Sequence, residues 1–343
     1  MPFLESYLFI FGGFLSMKKI ISLVLTFLMI CGSLFLITAC SDNGSKNNDK
    51  LSIVTTIFPV YDWTKEILGD NASDIETTML LDSGVDLHSY QPTVDDMAKI
   101  STCDMFIYVG GECDEWVHDA LKSATNDEMI VINILDVLGD FVLEEELTEG
   151  MEHEDHEDEE HEHEEHENDE HVWLSLKNAK TVCNYISEQL YVLDAENKAT
   201  YQKNAEDYVA KLVDLDSKYQ KVVDEAAYKT LLFADRFPFL YLTNDYGLSY
   251  YAAFSGCSAE SEASVETISF LAGKLKELNL PSVMISDGSD GSIASTVIET
   301  AEGNQSILKL NSLQSVTSED IANGANYLSI MESNLEVLKD ALN

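Results

Sequence analysis

The sequence has 343 residues, enough for two domains of ordinary size, and 45% of them are hydrophobic, enough to build a core in each. Its 62 acidic and 20 basic residues give a formal charge of −42. Such a field repels nucleic acids and anionic membrane surfaces and attracts cations, so we exclude a polyanion-binding protein and expect no nucleic-acid partner.

The N-terminal segment has the pattern of an export signal. Lys18 and Lys19 precede an apolar run over residues 20–37, and small residues follow, up to Cys40. Basic, apolar and small residues in this order are typical of a secretory signal. The alternative is a membrane-spanning helix, because the run is about long enough to cross a bilayer.

The end of this segment, I-T-A-C at residues 37–40, resembles a bacterial lipobox, in which the cysteine is lipidated. We therefore predict a signal peptide over residues 1–39, with Met17 as an alternative start, and lipidation of Cys40. Residues 40–50 are polar and predict a flexible tether. The protein is then expected on the extracellular face of the cell membrane, held there through its lipid anchor only.

Short apolar runs alternate with helical patterns after the tether. This spacing predicts βαβ units with a parallel sheet. The predicted strands of this first half cover residues 51–57, 76–81, 105–110 and 129–135.

An acidic segment interrupts the alternation. Residues 144–171 hold 17 acidic residues, six histidines and no lysine or arginine, so they cannot bury apolar surface and predict a solvated loop. Five of these histidines stand among the acids of loop 144–170 as an auxiliary set of metal donors: His153, His156, His161, His163 and His166.

The second half contains a long helix and a second α/β unit. A helix is predicted over residues 175–193, and another, without Pro or Gly, over 195–228. Strands follow at 230–234, 249–254, 282–286 and 306–310, and an amphipathic helix at 318–342. We therefore predict an N-terminal lobe over 51–194, a linking helix over 195–228 and a C-terminal lobe over 229–343, with the ligand site in the cleft between lobes.

Few residues outside the loop can bind a metal through nitrogen or sulfur. His88 and His118 stand alone, and His171 ends the acidic segment just before a helix. A lone histidine is often structural. The cysteines at 103, 113, 183 and 257 have no zinc-ribbon or redox spacing, and their redox state stays open.

Two motifs give these histidines a context. The run G-V-D-L-H-S-Y-Q-P at residues 84–92 is similar to the G-x-D-x-H-x-Y-x-P segment of bacterial zinc- and manganese-binding solute receptors, and D-E-H-V-W at 169–173 to their D-x-H-x-W. The Y-G-L at 246–248, the long Pro-free helix and the His-rich loop also fit. The mature chain resembles this family over residues 51–343. The resemblance implies two α/β lobes with parallel sheets joined by one long rigid helix, and His88 and His171 as metal ligands in the cleft.

The resemblance also locates a departure. The family's third histidine falls on Arg236, which has no lone pair to donate. Either the neighbouring Asp235 contributes an oxygen or water fills the position, and Arg236 can instead pair with a ligating carboxylate. The family's acidic fourth ligand falls on Asp287, with Asp290 as the alternative.

Two imidazoles with carboxylate oxygens suit Zn²⁺, and Mn²⁺ becomes the other candidate as oxygens replace nitrogens. The resemblance implies high-affinity capture of zinc outside the cell by a monomer, and delivery to the permease and ATPase of an ABC-type importer. It implies no enzyme activity. The alternatives are a metal-dependent hydrolase, for which we find no H-E-x-x-H motif or nucleophile elbow, and a passive metal-storage or adhesin lipoprotein.

Overall fold

The computed structural model describes residues 50–145, 147–151, 168–258 and 262–343. The predicted signal peptide, the predicted lipidation site Cys40 and the five histidines of the acidic loop lie outside these residues. Those assignments therefore stay predictions.

The N-terminal lobe is built on a parallel sheet of four strands in the order β2-β1-β3-β4. Each apolar run predicted as a strand contains a strand, although the predicted run over 129–135 extends into a helix that begins at Ile134. The strands are β1 (Ser52–Thr55), β2 (Glu76–Met79), β3 (Met105–Tyr108) and β4 (Ile130–Asn133). The helices of this lobe are α1 (Phe58–Leu68), α2 (Val94–Thr102), α3 (Trp116–Lys122) and α4 (Ile134–Leu138).

Two helices lead out of this lobe. Helix α5 (Leu176–Leu193) is capped by the Ser175 side chain, and α6 (Lys198–Glu225) is the linking helix. At 1.5 Å per residue, α6 is about 42 Å long. The predicted helix over 195–228 is therefore longer than the observed one at both ends, since a 3₁₀ turn occupies Ala195–Asn197 and the helix stops at Glu225.

One face of α6 is buried along its whole length. The buried residues recur every three or four positions, which places them in a single stripe. They are Tyr201, Ala205, Tyr208, Leu212, Leu215, Tyr219 and Val223. The stripe belongs to one hydrophobic core that also contains residues of both lobes.

The C-terminal lobe repeats the strand order of the first, as β6-β5-β7-β8. Its strands are β5 (Thr230–Phe237), β6 (Ser249–Ser255), β7 (Ser282–Ser286) and β8 (Ser306–Leu310), all parallel. Its first three helices are α7 (Leu240–Tyr246), α8 (Val265–Glu277) and α9 (Ser292–Thr300).

The prediction of one closing helix over 318–342 is wrong, because the segment forms two helices, α10 (Ser318–Ala322) and α11 (Tyr327–Ala341). Gly324 between them has φ 99°, a conformation that a helix cannot contain. Asn326 then caps α11 by accepting a hydrogen bond from Ser329 N.

The predicted fold class is confirmed: two α/β lobes with parallel sheets are joined by one long helix. Loops that follow the carboxyl ends of strands in both sheets contact each other between the lobes. Among the described residues, no helix is long and apolar enough to cross a membrane.

Candidate metal centre

His88 and His171 meet in the cleft. His88 follows β2 on a 3₁₀ turn, and His171 directly precedes the 3₁₀ turn Val172–Leu174. Their Nε2 atoms are 3.4 Å apart. Two nitrogens bound to one tetrahedral zinc at about 2.0–2.1 Å are separated by about 3.3–3.4 Å. The two rings therefore already stand at the spacing of a shared metal ion.

His171 is buried and held in place by Asp169. Its side chain is 0% exposed, and Asp169 Oδ1 lies 2.8 Å from the His171 backbone N and 3.2 Å from Nδ1. A proton on Nδ1 directed at Asp169 leaves the Nε2 lone pair for a metal, the arrangement usual for ligating histidines. The Tyr241 hydroxyl donates to Asp169 O at 2.7 Å and accepts from Leu143 N at 3.0 Å. These bonds fix the backbone just before His171.

His88 is held by a local cap and an ion pair. Asp86 Oδ1 accepts from His88 N at 3.0 Å, and Asp86 Oδ2 accepts from Arg236 Nη2 at 3.0 Å. Arg236 belongs to β5, so this pair joins the His88 loop to the C-terminal lobe. Glu170 Oε2 lies 3.6 Å from His88 Nδ1. The His88 side chain is 16% exposed, whereas the His171 side chain is fully buried.

Two groups of potential ligands share His88. The first is His88, His171 and Cys257, and the second is His88, Cys113 and Glu170; within each group the ligand atoms lie within 4.8 Å of one another. Cys257 follows β6 and Cys113 follows β3, so both come from carboxyl ends of strands. Both cysteines are free thiols.

Two glycines make room for this arrangement. A Cβ on Gly111, at φ 81°, would lie 2.1 Å from Glu170 Oε1. A Cβ on Gly256 would lie 3.1 Å from His171 Cε1 and 3.0 Å from Phe237 O. Any side chain at Gly111 would displace Glu170, and one at Gly256 would press on the His171 ring.

The predicted carboxylates are engaged elsewhere. Asp235 Oδ2 accepts from Ser286 N at 2.8 Å and from Ser286 Oγ at 2.6 Å, and Asp287 Oδ1 accepts from Ser312 N at 2.8 Å and Ser312 Oγ at 2.7 Å. Neither aspartate belongs to the two groups found among the described residues. Their assignments as ligands stay predictions.

Two further residues of the sequence analysis can be placed. Arg236 pairs with Asp86, a carboxylate that the sequence did not suggest as a ligand, and Asp290 is exposed and accepts from Ser292 N at 2.8 Å. Arg236 therefore acts on the histidine loop and not on a predicted ligand.

Burial sets the electrostatics of the site. Desolvation, together with the nearby His171 ring, lowers the pKa of His88 below its ordinary value, so its imidazole is neutral and able to donate a lone pair at neutral pH. Burial likewise raises the pKa of Glu170, and it raises the pKa of the Cys113 and Cys257 thiols above the ordinary thiol value. The His88 imidazole and the two thiols are therefore neutral donors at neutral pH.

The sequence analysis missed Glu170, Cys113 and Cys257. Glu170 stands within the acidic run, and only its position directly before His171 distinguishes it from the other acids. Cys113 and Cys257 have no ligand spacing along the chain, but each lies within a few residues of the end of a strand, where ligands of parallel sheets collect.

Two α/β lobes joined by a long helix, with two imidazoles between them at the spacing of one metal ion, are the features expected of a metal-binding solute receptor. Residues 53–341 match the family model described as "ZnuA: Zinc-uptake complex component A periplasmic", and the chain belongs to this family. It is 34% identical over 323 residues to zinc-binding lipoprotein AdcA of Streptococcus pneumoniae. The aligned region is 94% of this chain and 61% of that relative. The chain is 32% identical over 320 residues to the high-affinity zinc uptake system protein ZnuA of Bacillus subtilis, covering 92% and 96%.

Solved structures of related proteins have the same fold as this chain. The Zn(II)-bound ZnuA-like domain of Streptococcus pneumoniae AdcA superimposes with a TM-score of 0.67 at 31% identity, over 85% of this chain and 99% of that domain. The metal-dependent lipoprotein YcdH from Bacillus subtilis gives 0.69 at 30% identity, over 85% and 99%.

Proposed function

We propose that this protein captures Zn²⁺ outside the cytoplasmic membrane and delivers it to the permease and ATPase of an ABC-type importer. Membership of the zinc-uptake family supports this proposal, as do the names of the relatives. The observation that carries it is the 3.4 Å separation of His88 Nε2 and His171 Nε2, each with its other ring nitrogen next to a carboxylate. On this proposal the protein binds and releases the ion and turns over no substrate.

The remaining parts of the proposal concern the N-terminal region and the acidic loop. Lipidation at Cys40 would keep the receptor beside its importer. The loop histidines, interleaved with acids, would raise the local cation concentration, but a segment without fixed geometry loses conformational entropy when it organises a coordination shell, about 1–2 kcal/mol per backbone residue. The loop is therefore proposed to gather zinc weakly and the cleft to hold it tightly.

Zinc titration in competition with a chromophoric chelator tests the proposal. We expect one tight ion per molecule, lost when His88 and His171 are both replaced by Ala. His118→Ala is the matched control, because His118 is exposed on α3 and belongs to neither group. Deleting residues 152–167 should remove weak sites and keep the tight one.

Delivery is tested in cells. In a strain that lacks the receptor, wild-type protein should restore growth under zinc limitation, while the double histidine variant should not. Several weak ions without a tight one would support a storage protein instead, and tighter binding of Mn²⁺ than of Zn²⁺ would move the proposal to manganese.

A further inference from the structure

The end of strand β5 provides no nitrogen ligand. Arg236 stands there, and its guanidinium is permanently charged and has no lone pair. Its Nη2 donates to Asp86 at 3.0 Å and its Nη1 to Ser258 O at 3.4 Å, so the side chain is committed to the protein. Two histidines alone would leave a zinc ion short of the three protein ligands that tight sites contain.

The adjacent strand ends beside this position. Strand β6 pairs with β5 in parallel register, with Phe237 opposite Ser255. Cys257 comes two residues after Ser255, at the same edge of the sheet. Its Sγ and one ligand nitrogen each of His88 and His171 all lie within 4.8 Å of one another.

We propose that Cys257 Sγ is the third protein ligand of the metal, so that the site is His88, His171 and Cys257. This inference rests on the proposed function and deepens it, because a thiolate also determines which metal is preferred. Soft sulfur ligands favour Zn²⁺, whereas Mn²⁺ prefers oxygen.

The distances suit a tetrahedral zinc. With Zn–S of about 2.3 Å and Zn–N of about 2.0–2.1 Å, sulfur and nitrogen are separated by about 3.5–3.6 Å. Small rotations of side chains bring the three atoms to that spacing from separations below 4.8 Å. On binding, the S–H bond breaks, a Zn–S bond forms and the proton leaves to solvent. The Cys257 backbone N donates to Glu145 Oε1 at 3.1 Å, which fixes the loop that presents the thiol.

Glu170 supplies a second observation at the same place. Its side chain is 3% exposed, and among the described residues its Oε2 has no hydrogen-bond partner. This oxygen lies 3.6 Å from His88 Nδ1. A small movement of His88 toward Glu170 makes that hydrogen bond and directs Nε2 at the metal, as carboxylates do behind ligating histidines.

Cys103, which belongs to neither group of potential ligands, provides the control thiol, and Cys113 is the competing one. It is also close to His88, but it belongs to the group that lacks His171, and its thiol donates to Gly110 O at 3.8 Å. Cys113→Ser therefore removes a neighbouring thiol without touching the proposed ligand set.

Cobalt substitution tests the assignment directly. Wild-type protein loaded with Co²⁺ should show the near-ultraviolet charge-transfer absorption of a thiolate ligand. Cys257→Ser should lose this absorption and bind zinc about 100-fold more weakly or worse. Cys103→Ser should keep the absorption and the zinc affinity of wild-type, and Cys113→Ser should keep the absorption. X-ray absorption of the zinc form should show one sulfur at about 2.3 Å.

Two further variants keep the test decisive if Cys257→Ser folds poorly. Cys257→His should retain tight zinc binding without the sulfur absorption, and Cys257→Asp should shift the preference from zinc toward Mn²⁺. If wild-type binds zinc tightly with no sulfur signal, or if Cys113→Ser or Asp287→Ala loses binding and Cys257→Ser does not, this inference is overturned and the proposed function stands. If wild-type binds no zinc tightly, the proposed function itself fails.

Discussion

The two histidines that meet in the cleft are held in opposite ways. His171 is fully buried, and the chain around it is fixed by buried hydrogen bonds from several elements. His88 lies on a short turn, where one cap and one partly exposed ion pair hold it. The difference predicts a division of labour, in which the His171 segment is the more rigid half of the site and the His88 loop the more mobile half.

The more rigid half is part of the core. Trp173 Nε1 donates to Ser312 O at 2.9 Å, and the Tyr327 hydroxyl donates to Trp173 O at 2.7 Å. Tyr327 N in turn donates to Asp62 Oδ2 at 3.0 Å on α1. The His171 segment is thus joined to helices of both ends of the chain, and disturbing it should cost stability as well as affinity.

The largest expected contrast is between His171→Ala and His88→Ala. Both should weaken zinc binding by more than about 100-fold, since even supporting residues cost 10–100-fold. Only His171→Ala should also destabilise the metal-free protein, by about 2–4 kcal/mol, because it leaves a cavity and removes the imidazole next to the buried Asp169. Urea unfolding in the presence of chelator measures this; equal stability of the two variants would contradict the division of labour.

The pH dependence of stability probes the support behind His171. Burial raises the pKa of Asp62 to about 7, with nearby Glu66 adding to the rise and hydrogen bonds from Tyr327 N and the Tyr208 hydroxyl opposing it. Since the pKa in the unfolded chain is about 4, the folded state binds this proton more tightly. The contribution of protonated Asp62 to the free energy of unfolding is therefore fully present below about pH 4 and is lost as the pH rises through about 7.

Asp62→Asn keeps an acceptor for Tyr327 N and removes the titration. The free energy of unfolding should fall between pH 4 and pH 8 in both metal-free proteins, and the fall should be about 2–4 kcal/mol smaller in Asp62→Asn than in wild-type. Urea unfolding at each pH measures it. Glu66→Gln, one turn away, is the control and should leave most of the slope in place. A slope unchanged in Asp62→Asn would show that other buried acids produce it.

A smaller effect is expected from Tyr241→Phe. The change leaves Asp169 O without its donor and Leu143 N without its acceptor at a site where Tyr241 is buried. We expect a loss of about 1–3 kcal/mol in the free energy of unfolding and a loss of about 10-fold in zinc affinity as His171 loosens. Tyr228→Phe is the comparison, because Tyr228 lies outside the cleft, beside Asn279.

The smallest effect belongs to the His88 loop. Arg236→Met removes the pair with Asp86, whose side chains are 34% and 27% exposed, so stability should change by about 1 kcal/mol or less. Zinc affinity should fall only a few-fold, and the difference from wild-type should shrink as salt is added. If Arg236→Met lowered stability and zinc affinity as much as Tyr241→Phe does, the His88 loop would be held as firmly as the His171 segment. That result would contradict the proposed division of labour.

The sequence predicts the fold well because parallel α/β lobes leave clear periodic signals, and it predicts His88 and His171 because each stands in a local motif. Cys257 has no such motif. It reaches the site only because β5 and β6 pair in register, which is a long-range property that spacing along the chain does not record. The break at Gly324 was missed for a related reason: the apolar face continues through it, and only the backbone conformation interrupts the helix.

The buried stripe of α6 has a consequence for how the protein unfolds. Tyr201 and Tyr208 at one end of the helix and Tyr219 at the other belong to one core shared with both sheets, and the C-terminal lobe has only a smaller cluster of its own, which includes Leu271 and Val297. Separating the lobes would therefore expose most of the hydrophobic interior. The lobes should therefore melt together in a single cooperative transition, for which the calorimetric and van't Hoff enthalpies agree. Bound zinc should raise its midpoint as a whole.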